Sequence, residues 1–425
     1  MATVLAAVLC ACTGAPAATR HLSPARSVEA TTAPSGPNGL QAEAQRHAVA
    51  VRVLRARAAA VRRHDEAAWL APLDPANTGL VRRERRLFAN LARLPLQTFT
   101  LTADKESTWP AGFAARRFQD TAYLPYVVQR MRLRGFDPEP LTYYYAYTFA
   151  RVDGRWRIVS DTDVRHQAGL SSETQPWDVG SIRVHRTAHA LGIFDAGSEH
   201  AAAQVMAWAE EAVRRVRRAV PRKWPGRVVF IALSDERLLR DMGETYLSAA
   251  AVAFPVPDDS MASDHIATTR VMINPSYLPE DAGEGVYLLS HEITHVALQD
   301  TNGGTPTWVQ EGLAELVATD AGDPAWWRPT VTRAQARALR QLPRSTFFGN
   351  DDPALDYDAS LAACVVLARR GGTAKLWRFV DRLSDAGFAG GDREAPVASL
   401  LRRTYGLSER RLARQAGEFL ASRLP

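Results

Sequence analysis

The hydrophobic pattern changes period several times along the chain, and each change marks an element. From Leu40 to about Asp74, "AVAVRVLRARAAAVRRHDEAAWLAPL" repeats Val, Leu and Ala on one recurring face, as a helix with a buried side does. "RRERRLFANLARLPL" predicts a second helix. The period then becomes two in "QTFTLTADK" and "AYLPYVVQRMRLRGF", the alternation of strands. "TYYYAYTFARVDGRWRIVSDTD" predicts two more strands around an Asp153-Gly154 turn. Helices followed by an antiparallel sheet make an α+β unit. "HQAGLSSETQPWDVG" carries neither period. It predicts a polar linker with Pro176, which few contacts should cross.

Beyond the linker, "SIRVHRTAHALGIF" predicts two short strands and "HAAAQVMAWAEEAVRRVRRAV" a long amphipathic helix. "RVVFIALSD" is a buried strand, and "AVAFPV" and "ATTRVMINP" are further strands. "LLSHEITHVALQD" and "TPTWVQEGLAELVATD" are helical, the latter after Pro306. From about Val331 to the end the pattern is helical throughout. The fold class expected for the whole chain is α+β.

Length supports the division, because 425 residues exceed what one hydrophobic core usually holds. A composition of 46% hydrophobic and 23% charged residues excludes a disordered chain and a many-span membrane protein. A net charge of +6 raises the question of nucleic acid. The arginines are dispersed and interleaved with acids, as in "DERLLRD" and "LSERRLARQAGEFL", and no basic run alternates with aromatics. They are read as solvated helix faces, so no nucleic-acid partner is expected. Of three cysteines, Cys364 lies in the apolar "LAACVVLARR" and is read as a buried inert thiol.

The other two, Cys10 and Cys12, close "MATVLAAVLCAC", a short apolar run like the core of an export signal. Leu9-Cys10-Ala11-Cys12 resembles the lipobox of bacterial lipoproteins, although no Lys or Arg precedes the run. That resemblance implies cleavage before Cys12 and its lipidation. The protein would then be exported and anchored to the membrane at the cell surface, or else secreted after ordinary signal cleavage. The expected organisation is a signal over 1–12, a Ser/Thr/Pro-rich tether over 13–39, an α+β domain over 40–163, the linker over 164–180 and a second domain over 181–425. The helix-then-sheet order of 40–163 resembles the cone-shaped domains similar to nuclear transport factor 2. No catalytic cluster stands out there, and an inert structural module is expected.

The chemistry concentrates in the second half. In a helix, residues four apart share a face, so His291 and His295 offer two imidazoles to one metal ion. Glu292 stands beside them, able to reach a metal-bound water without being a ligand. Downstream, Glu311 and Glu315 lie one helical turn apart in "TWVQEGLAE". "HEITH" followed by "WVQEGLAE" resembles the gluzincin metallopeptidases, over roughly 180–390. The resemblance implies Zn2+ held by His291, His295 and Glu311, with Glu315 accepting from an imidazole N–H. It further implies Glu292 as general base and a peptide or protein as substrate. Tyr357, in "ALDYDASLAACVVLARRGG", resembles the tyrosine that aids the oxyanion in such families, and Asp356 and Asp358 are read as solvating that helix start. Substrates of such enzymes lie along a sheet edge, and "ATTRVMINP" is expected to be that edge. The interval from His295 to Glu311 is shorter than in the classical gluzincin aminopeptidases and their exopeptidase signature is not evident, so endo- or exo-action stays open. Two other readings remain: a catalytically silent binding module, and a surface lipoprotein whose zinc only stabilises the fold.

Overall fold

A computed structural model of the chain describes residues 37–164, 174–236, 240, 249–319, 329–346, 348–349 and 352–424. The expected signal, Cys12 and most of the tether lie outside the described residues. The fold is mixed α and β with small sheets, and it divides into two compact units. Among the described residues, the first takes those up to 184 together with 256–268, and the second takes 185–255 and those from 269 onward.

In the first unit, α1 (Pro37–Arg63), α2 (Glu66–Leu70) and α3 (Thr78–Arg93) precede the strands. The helical pattern that runs to about Asp74 breaks at His64, whose φ is +55°, and restarts at Asp65, which caps α2 by accepting from the Ala68 amide. Arg57 is wholly buried: its guanidinium lies 3.6 Å over the Trp69 ring and donates to Glu84 of α3, joining the three helices. β1 (Leu96–Trp109), β2 (Leu124–Leu133) and β3 (Leu141–Ala146) form an antiparallel sheet.

The segment 142–163 holds all but the first residue of β3 and two further strands, where the sequence predicts two strands in all. The chain leaves the first sheet after Ala146, and β4 (Thr148–Val152) pairs with β5 (Arg155–Ser160) across the Asp153-Gly154 turn. The break buries Tyr147, whose ring lies 5.2 Å from the Arg57 guanidinium. The described part of the expected linker is also structured. α4 (Pro176–Val179) buries Trp177, and Asn90 of α3 donates to the carbonyls of Trp177 and Gly180 at 2.7 Å and accepts from the Ile182 amide at 3.1 Å. Residues 256–268 join this unit through backbone bonds between Thr142 and both Asp258 and Ser260.

The second unit is built on a five-stranded sheet in the order β6 (Ile182–Arg186), β7 (Ala190–Asp195), β8 (Val228–Ala232), β10 (Ile266–Ile273), β9 (Ala251–Pro257). β7 and β10 both run parallel to β8. The stretch expected to be the edge, "ATTRVMINP", is therefore interior: β10 sits between β8 and β9, with Arg270 to Ile273 all buried. The edge on this side of the sheet is β9, which carries Pro255 and Pro257, residues that cannot donate to a ladder and so belong on edges. Helices α5 (Ala202–Ala219), α6 (Ala282–Ala297), α7 (Gln299–Asn302) and α8 (Thr307–Ala318) precede a helical C-terminal part: α9 (Arg333–Ala338), α10 (Pro353–Gly371), α11 (Thr373–Gly390), α12 (Val397–Tyr405) and α13 (Glu409–Arg423). Among the described residues no helix is long and apolar enough to cross a membrane.

Candidate metal centre

α6 carries the two histidines. Asp281 caps it, accepting from the amides of Gly283 and Glu284, and every residue from Gly285 to Ala297 is buried. A helix buried on all sides is a core element, and close packing places it: a Cβ at Gly285 would lie 2.4 Å from the Trp208 ring of α5. The chain returns quickly to α8. Asn302 donates to the His295 carbonyl at 3.2 Å, and Gln310 donates to the carbonyls of Asn302 and Thr305 at 2.7 Å. Those bonds stitch the short connection that the sequence interval requires. α8 is buried along its whole length and crosses α10 at Gly312, where a Cβ would stand 2.4 Å from the Ser360 carbonyl oxygen and 2.7 Å from Cys364 Sγ. The glycine of "QEGLAE" is thus needed for close approach of two helices.

That packing brings His291, His295 and Glu311 together, all three buried. The Nε2 atoms of the histidines are 3.2 Å apart, and Glu311 Oε2 lies 3.2 Å from His291 Nε2 and 3.4 Å from His295 Nε2. A tetrahedral ion with bonds of ~2.0–2.1 Å separates its ligand atoms by roughly 3.3 Å. Glu311 Oε2 is also buried without a well-aligned hydrogen bond, although two ring nitrogens face it. Donor atoms converging on one point in this way fit a cation between them. Burial would raise the Glu311 carboxyl pKa, but His295 and His291 outweigh it and hold it below the usual carboxylate range.

Glu292 points elsewhere. The amide of Ala253, on the edge strand β9, donates to Glu292 Oε2 at 2.6 Å. The carboxylate is therefore held beside the cluster and outside the ligand set. Glu315 lies behind His291, with Oε1 3.0 Å from His291 Nδ1. A residue that the sequence does not single out completes this side: the phenol of Tyr287 donates to Glu315 Oε2, and burial together with the Glu315 charge pushes the phenol pKa well above its usual value. Tyr287 precedes His291 by four residues, so the same helical spacing that pairs the histidines could have marked it.

Tyr357 of α10 is buried next to the cluster, its ring 6.2 Å from that of His291 and 5.2 Å from Phe348. Asp352, not Asp356 or Asp358, caps α10, accepting from the Leu355 amide. Asp356 instead receives the Gly349 amide. Asp358 is buried, and its Oδ2 accepts from the Thr330 amide and hydroxyl and the Val331 amide. The expectation that it solvates the helix start is corrected: the helix packs that face inward, where the 330–331 backbone supplies its donors. Cys364 is buried, and burial raises its thiol pKa, as an inert core cysteine requires. Compared with protein-family models, with curated proteins and with solved structures, the chain matches none.

Proposed function

We propose that the second unit is a zinc-dependent peptidase of gluzincin type, with His291, His295 and Glu311 as the metal ligands. The observation that carries this is the set of ligand-atom separations, 3.2, 3.2 and 3.4 Å, with a glutamate beside the set and held out of it. Bound zinc supplies a Lewis acid that lowers the pKa of a water and polarises a carbonyl. Glu292 takes the proton from the attacking water and returns it to the leaving amine. Glu315 fixes the tautomer of His291 by facing Nδ1, which leaves Nε2 for the ion. Tyr357, beside His291, is the protein donor proposed for the oxyanion. A structural site has no need of a general base, which favours the enzyme over a zinc-stabilised scaffold.

The first unit is proposed to be a cone of the kind found in proteins similar to nuclear transport factor 2, on the strength of helices followed by an antiparallel sheet. The lipobox-like Leu9-Cys10-Ala11-Cys12 supports export and anchoring through Cys12.

The deciding experiment pairs zinc content with cleavage of a peptide library, for the wild type and Glu292→Gln. One zinc per chain in both proteins is expected, with hydrolysis reduced ~10²–10⁴-fold in the variant. Folded wild type without zinc would reject the site. Zinc-loaded wild type that cleaves nothing, while Glu292→Gln binds the same peptides equally well, would replace the enzyme with a binding module.

A further inference from the structure

The arginines that are scattered in the sequence meet on the first unit. One face of α1 presents Arg46, Val49 and Arg52 to the β4–β5 hairpin, where Arg151 and Trp156 stand, and the groove between them encloses about 570 Å³. A second hollow of about 330 Å³ shares Arg52 and Trp156 and adds Arg155. No acidic side chain lines either hollow. Among the described residues no carboxylate pairs with Arg46, Arg52, Arg151 or Arg155, whereas Arg57, Arg83 and Arg85 of the same unit each have an acidic partner. Glu43 and His47, on the neighbouring face of α1, lie toward Tyr123 instead.

Unpaired guanidiniums around one tryptophan repel one another, and an anion relieves that repulsion. The volume is that of a small-molecule site. A peptide adding as a strand would need a free edge, and the hairpin offers none at its centre. Phe149 and Tyr123 exchange backbone bonds of 2.8 Å on one side, and on the other Ile158 bonds to Pro72 and Asp74 at 2.9 Å. Recognition must therefore come from side chains. Guanidinium forks match phosphate bidentately, and Trp156 with Val49 supplies an apolar wall for whatever the phosphate carries.

We propose that this groove binds a phosphate ester whose organic part lies against Trp156. Two sources share that chemistry, a soluble ester and an anionic lipid headgroup. The test uses the full chain carrying Cys12→Ser, so that no anchor intervenes. Binding of phenyl phosphate and inorganic phosphate is measured by calorimetry, and sedimentation is measured with phosphatidylglycerol and phosphatidylcholine vesicles. Saturable phenyl phosphate binding is expected, weakened on the order of tenfold for each guanidinium removed in Arg52→Gln, Arg151→Gln and the double variant. Trp156→Phe should weaken phenyl phosphate more than inorganic phosphate. Sedimentation with phosphatidylglycerol alone, lost in the same variants, would support the lipid source in place of the soluble one. The proposal is overturned if no probe binds, if binding survives in a double variant with an unchanged unfolding midpoint, or if oligoglutamate binds as tightly as phenyl phosphate. Should the double variant fail to fold, the single variants and Trp156→Phe decide by the same comparison. Zinc content and peptide cleavage play no part in these readouts, so the outcome is independent of the peptidase reading.

Discussion

The amide of Ala253 donates to Glu292 Oε2, so the edge strand of the sheet and the residue beside the first histidine are held by one 2.6 Å bond. The bond explains why Glu292→Gln is a clean test. The Gln carbonyl oxygen still accepts from Ala253, so the fold and the ligand set should persist while the proton acceptor is lost.

The Tyr287–Glu315–His291 chain should govern metal affinity. Outer partners of a ligating histidine typically contribute 10–100-fold, and Glu315→Gln is expected to weaken zinc binding by ~10–100-fold. Tyr287→Phe removes the hydrogen bond that orients Glu315 and should weaken binding by a smaller factor. Competition with a fluorescent zinc chelator measures both, and affinities equal to wild type would show that the chain is only structural.

Gly312→Ala separates packing from chemistry. In an open helix the change would stabilise by up to ~1 kcal/mol. Here the new methyl meets the Ser360 carbonyl at 2.4 Å, and overpacking of ~1–3 kcal/mol should win. Denaturant titration should show a net loss of stability, with zinc affinity reduced because Glu311 is the adjacent residue. A gain in stability would mean that α8 and α10 separate freely.

Asp358 predicts a pH dependence. Burial raises its pKa, hydrogen bonds from Thr330 and Val331 oppose the rise, and the charge of Glu315 adds to it, leaving it pushed up to about 7. The folded state then binds the proton more tightly than the unfolded chain, whose Asp titrates near ~3.9. The Asp358 contribution to the stability of the metal-free protein should be greatest below about pH 4, fall as pH rises toward about 7, and then level off, a change of at most on the order of 4 kcal/mol. All three hydrogen bonds end on one oxygen, so Asp358→Asn can keep them and should flatten the profile. Denaturation midpoints against pH check this, and an unchanged slope in the variant would assign the dependence elsewhere.

If Cys12 carries lipid, native protein should partition with membranes and Cys12→Ser should release it. Mass spectrometry of the mature N-terminus decides the matter, and an unmodified terminus well beyond Cys12 would exclude the anchor.

The parts of the site that were legible in the sequence are those set by local spacing. His291 and His295 share a face because a helix repeats every 3.6 residues, and that holds whatever surrounds it. The convergence of Glu311 needed two helices to pack, and only the likeness to a known motif anticipated it. Asp358 was misread because its burial depends on the return of the chain at 330–331. The edge strand was misplaced because strand order is not encoded by alternation: "AVAFPV" and "ATTRVMINP" read alike until the sheet is assembled, although Pro255 within the first and Pro257 just after it were the available signal. The arginine groove was invisible for a similar reason, since Arg52 and Arg151 meet only after the hairpin folds back on α1.

The prolines of β9 leave a lopsided edge. Asn274 donates to the Ala250 carbonyl, so even-numbered groups face β10 and the odd-numbered ones face outward. Of the outward amides, that of Ala253 is committed to Glu292 and Pro255 has none. An incoming backbone would be held mainly through its own N–H groups. N-methylation or amide-to-ester replacement, both of which remove that N–H, should therefore cost far more than thioamide replacement, which keeps it and weakens only the carbonyl acceptor. The same imbalance discourages two copies of this protein from zipping together through β9, because each would offer acceptors to the other's acceptors.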